Sequence, residues 1–374
     1  MKKDFIPLIV PDIREEDINA VVKVLKSGML VQGENVERLE NSVANYLGVK
    51  NAIAVANGTA SLHLALIALG IKPGDEVIVP AFSYVATANV IELVGAKPIF
   101  VDISIETFNI DVSKIEESIT NKTKAIIPVH EFGLACDISE VMKIAQKYNI
   151  KVIEDAACAL GAKSNGTFAG TLGDVGSFSF HPRKAITGGE GGLIVTNNDE
   201  LAERFLVLRN HGICMSTGNM EFVDAGFNYR MTDFQAALIL SQFQRLETIL
   251  TTKDNLAKIY FDELADVNYI QLPFIPNGKR HTWQSFHIVL NPTVNRDLLI
   301  SKLREKGVGT NYGAQCIPYQ VYYKNKYNLN CEKIFPNALN AYKQGLVLPL
   351  YEKLNNYDII TVCNLLRQEL EHFQ

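Results

Sequence analysis

The 374-residue chain lacks the patterns that mark disulfide-bonded proteins, metalloproteins and phosphate-loop proteins. Its seven histidines show no HExxH or other metal-ligand spacing, and no GxxxxGK[ST] segment is present. No CxxC pair occurs among its six cysteines: Cys136, Cys158, Cys214, Cys316, Cys331 and Cys363. We therefore expect free thiols in a reducing compartment and no metal site.

Long apolar runs and charge of one sign are also missing. No segment approaches the ~20 apolar residues that a membrane-spanning helix needs, and prolines interrupt the short apolar run of "MKKDFIPLIVPDIREED", unlike a signal peptide. The net charge is −5 without a block of like charges, which disfavours nucleic acid or an anionic membrane as the main partner. We expect a cytoplasmic globular protein.

Short apolar runs alternate with helical patterns through the first two thirds of the chain. The runs are "AIAVA" (52–56), "EVIVP" (76–80), "PIFVD" (98–102), "KAIIPVH" (124–130), "KVIED" (151–155), "GSFSF" (176–180) and "GGLIVT" (191–196). Their length and their Val and Ile content are typical of strands that are buried on both faces. Alternation with helices predicts an α/β fold with a mainly parallel sheet.

The pattern changes after residue 232. The segment 233–265 predicts one helix of about thirty residues, "HTWQSFHIVL" (281–290) predicts a strand, and "NRDLLISKLREKGV" predicts another helix. A chain of this length suits two domains. We therefore divide it into a large domain, 1–249, and a smaller C-terminal α+β domain, 250–374.

Residues 57–66, "NGTASLHLAL", end a strand and open a helix. Free N–H groups at a helix N-terminus bind phosphate well; Gly58 would let the backbone approach and Thr59 would add a hydroxyl. The alternative is that Asn57 or Thr59 only caps the helix.

Asp155 stands at the carboxyl end of the strand in "VIEDAACALGA" (152–162), where open α/β sheets bind ligands. A buried carboxylate needs a partner, and a protonated ring nitrogen would serve. The alternative is a cap of the following helix. Glu154 should point to the other side of the strand.

Lys184 lies between a strand and a glycine-rich turn in "GSFSFHPRKAITGGEGG" (176–192). A lysine that is desolvated or placed beside other cations forms Schiff bases with carbonyls, and His181 and Arg183 flank this one. The alternative is an ordinary surface lysine, although this setting is unusual for an indifferent loop.

Asn228 and Arg230 precede a helix in "GFNYRMTDFQAAL" (226–238), where Thr232 or Asp233 could simply form the cap. A phosphate site, a carboxylate and a lysine in this order match one cofactor that carries a phosphate, a ring nitrogen and an aldehyde. That cofactor is pyridoxal 5′-phosphate (PLP).

The sequence resembles the DegT/DnrJ/EryC1/StrS family of PLP-dependent nucleotide-sugar aminotransferases over nearly its whole length. The most specific segments are "NGTASLHLAL", "PAFSYVATANV", "VIEDAACALGA", "GDVGSFSFHPRKAITGGEGG" and "GFNYRMTDFQAAL". The resemblance implies the PLP-dependent transferase fold type I, which has a large domain with a mostly parallel seven-stranded sheet and a smaller C-terminal α+β domain. It also implies a homodimer with shared active sites.

The resemblance assigns roles to the matched residues. Lys184 corresponds to the lysine that binds the cofactor as a Schiff base, and Asp155 to the partner of the pyridine nitrogen. The phosphate-binding positions correspond to Thr59, Ala60 and Ser179, beside Gly58. Asn228 corresponds to the asparagine that reaches the phosphate across the dimer interface. Tyr84 corresponds to the aromatic residue that stacks on the ring, with plain core packing as the alternative.

Three segments depart from the family pattern. Cys158 stands where the family often has Gln or His beside the phenolic oxygen of the cofactor, and a thiol is a poorer hydrogen-bonding group. "HEFGLACDI" (130–138) replaces the commoner "HLYGQ" wording, and 309–323, which contains Tyr312, lacks a histidine that many relatives carry in this sugar-facing segment.

The implied activity is a ping-pong transfer of an amino group from L-glutamate to a nucleotide-linked keto sugar, in the biosynthesis of amino sugars. We favour a 4-keto-6-deoxy sugar over a 3-keto sugar. Candidate substrate residues are His181, Arg183, Arg230 and Tyr312. The alternatives are amination of a cyclitol or another keto ring and a non-catalytic PLP-binding regulator, which the intact Lys184, Asp155 and Ser179 disfavour.

Overall fold

The structure, a computed structural model, describes residues 5–214 and 219–373, so residues 1–4, 215–218 and 374 of the two predicted domains lie outside it. In the described ranges the helices are α1 (Glu15–Ser27), α2 (Glu34–Leu47), α3 (Gly58–Ala68), α4 (Ala86–Leu93), α5 (Ile138–Tyr148), α6 (Asp199–Arg209), α7 (Asp233–Phe243), α8 (Leu246–Leu264), α9 (Arg296–Glu305), α10 (Val321–Tyr327), α11 (Cys331–Ile334), α12 (Pro336–Gln344) and α13 (Asn356–Leu370).

The strands in the same ranges are β1 (Asn51–Val55), β2 (Glu76–Pro80), β3 (Phe82–Ser83), β4 (Lys97–Val101), β5 (Thr123–Ile126), β6 (Lys151–Asp155), β7 (Lys163–Ser164), β8 (Thr167–Phe168), β9 (Val175–Ser179), β10 (Gly192–Thr196), β11 (Ile213–Cys214), β12 (Glu221–Phe222), β13 (Ile270–Gln271), β14 (Lys279–Arg280), β15 (Phe286–Leu290), β16 (Gln315–Cys316) and β17 (Gly345–Leu348).

Seven strands form one sheet in the spatial order β1, β10, β9, β6, β5, β2, β4. The neighbours from β9 to β4 are parallel, and only the pairs that involve β10 are antiparallel. Strands such as β2 and β10 are buried along their whole length, as their continuous apolar runs predict. The predicted mostly parallel, seven-stranded α/β fold is therefore confirmed.

This topology brings three chain segments to one edge of the sheet. Parallel strands β6 and β9 end there at Asp155 and Ser179. β1 runs in the same direction, because it is antiparallel to β10, which is antiparallel to β9. Helix α3 therefore begins beside both strand ends, and this edge is the place to look for a ligand.

Two predicted strands are longer than the observed ones. β5 ends at Ile126 rather than residue 130, and beyond it only an isolated parallel bridge between Val129 and Asp155 continues the pairing. β15 begins at Phe286 rather than residue 281. Trp283 has a φ of 53°, and its N–H donates to His281 Nδ1 at 2.8 Å, a local turn that a strand cannot contain.

The single long helix predicted for 233–265 is wrong, because the chain forms α7 and α8 with a break at Gln244 and Arg245. Arg245 leaves the helical conformation with φ −111° and ψ 14°. Its guanidinium donates to both carboxylate oxygens of buried Asp17 in α1, at 2.8 and 2.6 Å. This bidentate ion pair, which no local pattern reveals, accompanies the break.

A second core surrounds the three-stranded sheet β13–β15–β17 and includes Tyr260, Trp283 and Phe286. Ile6 pairs with Val308 near this core, so the first described residues lie against the C-terminal part of the chain. The sequence boundary between residues 249 and 250 falls inside α8. We propose that α8 is the element that joins the two units.

Glu154 lies on the opposite face of β6 from the cavity described below, and it is fully buried. Its carboxylate accepts hydrogen bonds from the N–H groups of Gly170, Leu172 and Gly173 and lies 2.9 Å from His130 Nε2. Burial acts to raise its pKa, but His130 and the backbone donors outweigh burial and lower the pKa. Glu154 therefore ties β6 to the 170–173 loop as a carboxylate.

We expect Glu154→Gln to lower the free energy of unfolding by about 3 kcal/mol, because an amide leaves buried donors unpaired. This loss of stability should be fully present above pH ~4.3, the pKa of a glutamate in the unfolded chain. It should shrink as the pH falls below that value, because the pKa of Glu154 is lower in the folded protein than in the unfolded chain. Urea denaturation at several pH values measures it. Glu140→Gln on the exposed face of α5 is the control, and an equal effect of both variants would contradict this account.

Candidate active site

A cavity of about 620 Å³ opens at the edge of the sheet where β6 and β9 end. Of the thirteen residues that the sequence singles out, ten line it: Gly58, Thr59, Ala60, Tyr84, Asp155, Cys158, Ser179, His181, Arg183 and Lys184. Residues from four separate segments of the chain therefore meet in one space.

The N-terminus of α3 forms one end of the cavity. Asn57 is the helix cap, since its Oδ1 accepts the N–H of Ala60 at 2.8 Å, so the capping alternative describes Asn57 correctly. The N–H groups of Gly58 and Thr59 have no acceptor within the helix by its geometry. The hydroxyl of Ser179 lies beside them, because a Cβ on Gly58 would come within 3.3 Å of Ser179 Oγ. This end suits a phosphate.

Asp155 lies deep in the cavity and is only 5% exposed. Its Oδ2 accepts the hydroxyl of Thr87 at 2.9 Å, and its Oδ1 accepts the N–H of Ala157 at 3.2 Å. Burial raises the pKa of Asp155, while these two donors and the charge of Lys184 act in the other direction. A cationic N–H partner would stabilise the carboxylate further.

The Lys184 amine projects into the same cavity, with Nζ 3.1 Å from the sulfur of Cys158. Burial raises the pKa of the Cys158 thiol, although Lys184 opposes this effect, so the sulfur faces the amine as a neutral thiol at pH 7. The Lys184 backbone N–H donates to His181 O at 2.8 Å. A turn therefore fixes the base of the lysine while its side chain reaches Cys158.

His181 and Arg183 belong to this turn. His181 Nδ1 accepts the N–H of Arg183 at 3.2 Å, and the Gln284 side chain donates to Arg183 O at 3.1 Å. Burial and the nearby cations lower the pKa of His181, against the effect of Glu190. His181 is thus neutral at pH 7, whereas Arg183 supplies positive charge at the cavity.

Tyr84 forms part of the cavity wall and is 66% exposed. Plain core packing, the alternative to ring stacking, does not describe so exposed a side chain. Its aromatic face is therefore available to a ligand.

Within a single chain, three of the predicted site residues lie outside the cavity. Asn228 is exposed and forms a backbone bridge with Asn210. Arg230 donates to the side chain of Asn210 and lines a separate depression of about 1410 Å³. Tyr312 lies 5.6 Å from the Arg296 guanidinium, and its neighbour Gly313, rather than Tyr312, is part of the cavity lining.

Several lining residues escape the sequence analysis. Thr87, which holds Asp155, follows Tyr84 by three positions in the same short motif. Glu131 also lines the cavity, and the departure of its "HEFG" segment from the family pattern was the one local signal of this residue. Gln284 comes from the second unit, and no local pattern marks it.

Neither a metal site nor a membrane segment emerges from the described ranges. No cluster of three or more His, Cys, Asp or Glu side chains there could hold a metal ion. No helix in these ranges is long and apolar enough to cross a membrane.

We expect Gly58→Ala to weaken the binding of PLP by tenfold or more, about 1.4 kcal/mol, because the added Cβ would lie 2.9 Å from Ser179 Cβ and would push apart the two sides of the phosphate site. Absorbance titration of the cofactor-free variant measures the affinity. Ala68→Gly, in the last turn of α3, controls for helix stability, and unchanged affinity of Gly58→Ala would refute this phosphate site.

The comparisons with known proteins cover nearly the whole chain. The model of the DegT/DnrJ/EryC1/StrS aminotransferase family matches residues 11–367. The spore coat polysaccharide biosynthesis protein SpsC of Bacillus subtilis is 35% identical over 98% of this chain and 97% of its own. The UDP-4-amino-4-deoxy-L-arabinose–oxoglutarate aminotransferase of Shewanella sediminis is 37% identical over 96% of both chains.

Among solved structures, Spr1654 of Streptococcus pneumoniae in its PLP form superposes with a TM-score of 0.94 and 29% identity, over 99% of this chain and 100% of that one. The resemblance in sequence therefore extends to the whole fold. The chain belongs to the DegT/DnrJ/EryC1/StrS aminotransferase family.

Proposed function

We propose that this protein is a PLP-dependent aminotransferase that moves an amino group from L-glutamate to a nucleotide-linked keto sugar, with a 4-keto-6-deoxy sugar favoured over a 3-keto sugar. The observation that carries the proposal is the convergence of Lys184, Asp155 and the start of α3 on one cavity. Each group suits a different part of one cofactor.

The residues present fit PLP. The N-terminus of α3 and Ser179 would hold the phosphate, buried Asp155 would hold the ring N–H, and Lys184 would bind the aldehyde carbon. Asp155 lies deep in the cavity with Thr87 as its fixed donor, so it is oriented before any ligand arrives. When bound, the cofactor supplies an electron-accepting ring next to the reacting carbon.

Lys184 has two successive tasks in this proposal. Its Nζ would hold the aldehyde carbon of the cofactor, and when free the same amine would carry the proton taken from Cα of the amino donor. The turn through His181 fixes only the backbone of Lys184, which leaves the side chain free to swing. The Asp155 carboxylate would hold a proton on the ring nitrogen by charge attraction.

The names of two relatives and the residues at the cavity support the proposed substrates. The aminotransferase of Shewanella sediminis is named for a UDP-linked 4-amino sugar and for oxoglutarate, and glutamate is the amino form of that keto acid. SpsC is named for a polysaccharide pathway. In this chain, Arg183 supplies positive charge at the cavity, and exposed Tyr84 offers an aromatic face.

A homodimer would complete the site. Asn228 is exposed and outside the cavity of its own chain, and the hairpin before it exposes apolar side chains: Met220, Phe222 and Val223 are 61%, 70% and 56% exposed. An exposed apolar patch is typical of an interaction site. We propose that Asn228 of the partner subunit reaches the phosphate.

The function is tested by supplying L-glutamate with a panel of nucleotide-linked 3-keto and 4-keto sugars and a free cyclitol ketone, and by reading amine products by mass spectrometry. We expect a nucleotide-linked 4-amino sugar as the main product. Lys184→Ala should lower the rate by at least 10³-fold, since it removes both the covalent anchor and the proton carrier. Lys143→Ala, on the exposed face of α5, is the control.

Amination of the cyclitol alone would replace this proposal with the cyclitol alternative. Full activity of Lys184→Ala would refute the role of the lysine.

The shared site is tested by refolding or co-expressing Lys184→Ala and Asn228→Ala chains together. Each variant alone should be nearly inactive. If Asn228 serves the partner's site, mixed dimers contain one intact site, and an equal mixture should recover about one quarter of wild-type activity. No recovery in mixtures that demonstrably contain mixed dimers would place Asn228 in the site of its own chain or in none.

A further inference from the structure

Glu131 is a buried acid that the reaction scheme above does not use. It follows β5 at the floor of the cavity, is 5% exposed, and lines the same space as Asp155 and Lys184. Its Oε2 has no hydrogen-bond partner among residues 5–214 and 219–373. A carboxyl oxygen that is buried without a partner at the wall of a binding cavity points to a ligand that supplies the partner.

The backbone holds Glu131 in place. Its N–H donates to Asn109 Oδ1 at 2.8 Å, and the next residue, Phe132, has a φ of 54° and accepts the N–H of Gln284 at 3.0 Å. At Gly133, whose φ is 98°, a Cβ would lie 2.2 Å from Thr282 Oγ1. The turn is therefore locked on both sides, and the backbone of Glu131 is fixed at the wall of the cavity.

The groups that face this carboxyl define which part of a ligand it would meet. Asp155, Lys184 and the Ser83 hydroxyl act on Glu131, and Glu131 in turn acts on Cys158. Burial first, and then the charge of Asp155, raise the pKa of Glu131 to about 8, with Lys184 and Ser83 opposing. At pH 7 the group is mostly a neutral acid that can donate a proton in a hydrogen bond.

The order of substituents on the pyridine ring relates these neighbours to the cofactor. The phenolic oxygen is attached between the ring nitrogen, which Asp155 would hold, and the carbon that binds Lys184. The phosphate arm leaves from the other side of that carbon, towards α3. The ring methyl shares that side but accepts no hydrogen bond, so a polar group near both Asp155 and Lys184, as Glu131 is, borders the phenolic oxygen.

We infer that Glu131, as a neutral carboxylic acid, donates a hydrogen bond to the phenolic oxygen of the bound cofactor, a role that the thiol of Cys158 fills only weakly. This inference rests on the proposed function, because it requires PLP in the cavity. Glu131 then contacts the cofactor and lowers the pKa of the nitrogen that joins Lys184 to it.

A donor at the phenolic oxygen has a measurable consequence. It stabilises the negative charge on that oxygen, which then competes less well for the proton on the nitrogen that joins Lys184 to the cofactor. Removal of the donor should therefore raise the pKa of that nitrogen. The visible absorption of the cofactor reports this proton directly, without any turnover.

The test is a pH titration of the visible spectrum of the cofactor-loaded wild type, Glu131→Leu and Glu131→Gln. We expect Glu131→Leu to raise the midpoint by about one pH unit, a tenfold change in the equilibrium. Glu131→Gln should titrate close to the wild type, because a neutral amide also donates. Glu190→Gln, which removes an exposed carboxylate from the same cavity, is the matched control.

The outcomes separate the inference from the proposed function. A wild type without a visible cofactor band contradicts both. If the wild type carries the band, an unshifted Glu131→Leu overturns the inference alone, and a shift in Glu131→Gln as large as that in Glu131→Leu shows that Glu131 acts as a carboxylate and also overturns it. Adding Cys158→Gln to Glu131→Leu should return the midpoint towards the wild type.

An infrared measurement keeps the test decisive if Glu131→Leu does not fold. The difference spectrum between cofactor-loaded and cofactor-free wild type should contain the C=O band of a protonated carboxylic acid that shifts on loading, and Glu131→Gln should lack that band. A spectrum without it at pH 7 overturns the inference.

Discussion

The buried carboxylate of Asp155 is the charge around which the rest of the site is arranged. It lies deep in the cavity because parallel strands end at a common edge, and Thr87 and Ala157 are its hydrogen-bond donors among the residues that the structure describes. Burial leaves its charge poorly compensated. The nearby amine of Lys184 and a ring N–H both offset it, so the same constraint explains the lysine and the cofactor that we propose.

Three neighbouring acids show how burial and the surrounding groups decide the state of a carboxyl. Glu154, with three backbone donors and His130, has a lowered pKa and ties strand to loop. Asp155, with two donors, has a raised pKa and suits a cationic ligand. Burial and the charge of Asp155 raise the pKa of Glu131 to about 8, and its Oε2 has no partner among the described residues, so it suits a ligand that accepts a proton. Glu154 therefore supports the fold as a well-paired carboxylate, whereas the two acids with raised pKa values face the cavity.

Much of the fold and the centre of the site could be predicted from the sequence, because both depend on local patterns. Short Val- and Ile-rich runs indicate buried parallel strands, and Asp155 was a candidate ligand-binding residue because it stands at the carboxyl end of such a strand. Contacts between distant segments could not be predicted: Arg245 meets Asp17 and breaks a helix, and Gln284 reaches the lysine turn from the second unit. Asn228 and Arg230 lie outside the cavity of their own chain. A single sequence does not reveal contacts that such residues make with a partner subunit.

The central claim is that Lys184 is the residue to which the cofactor is bound. Reduction of the PLP-loaded protein with borohydride would make that bond permanent, and mass spectrometry of the proteolysed protein would locate the modified lysine. The account predicts the phosphopyridoxyl group on the peptide that contains Lys184. Its presence on another lysine, or on none, would contradict the account.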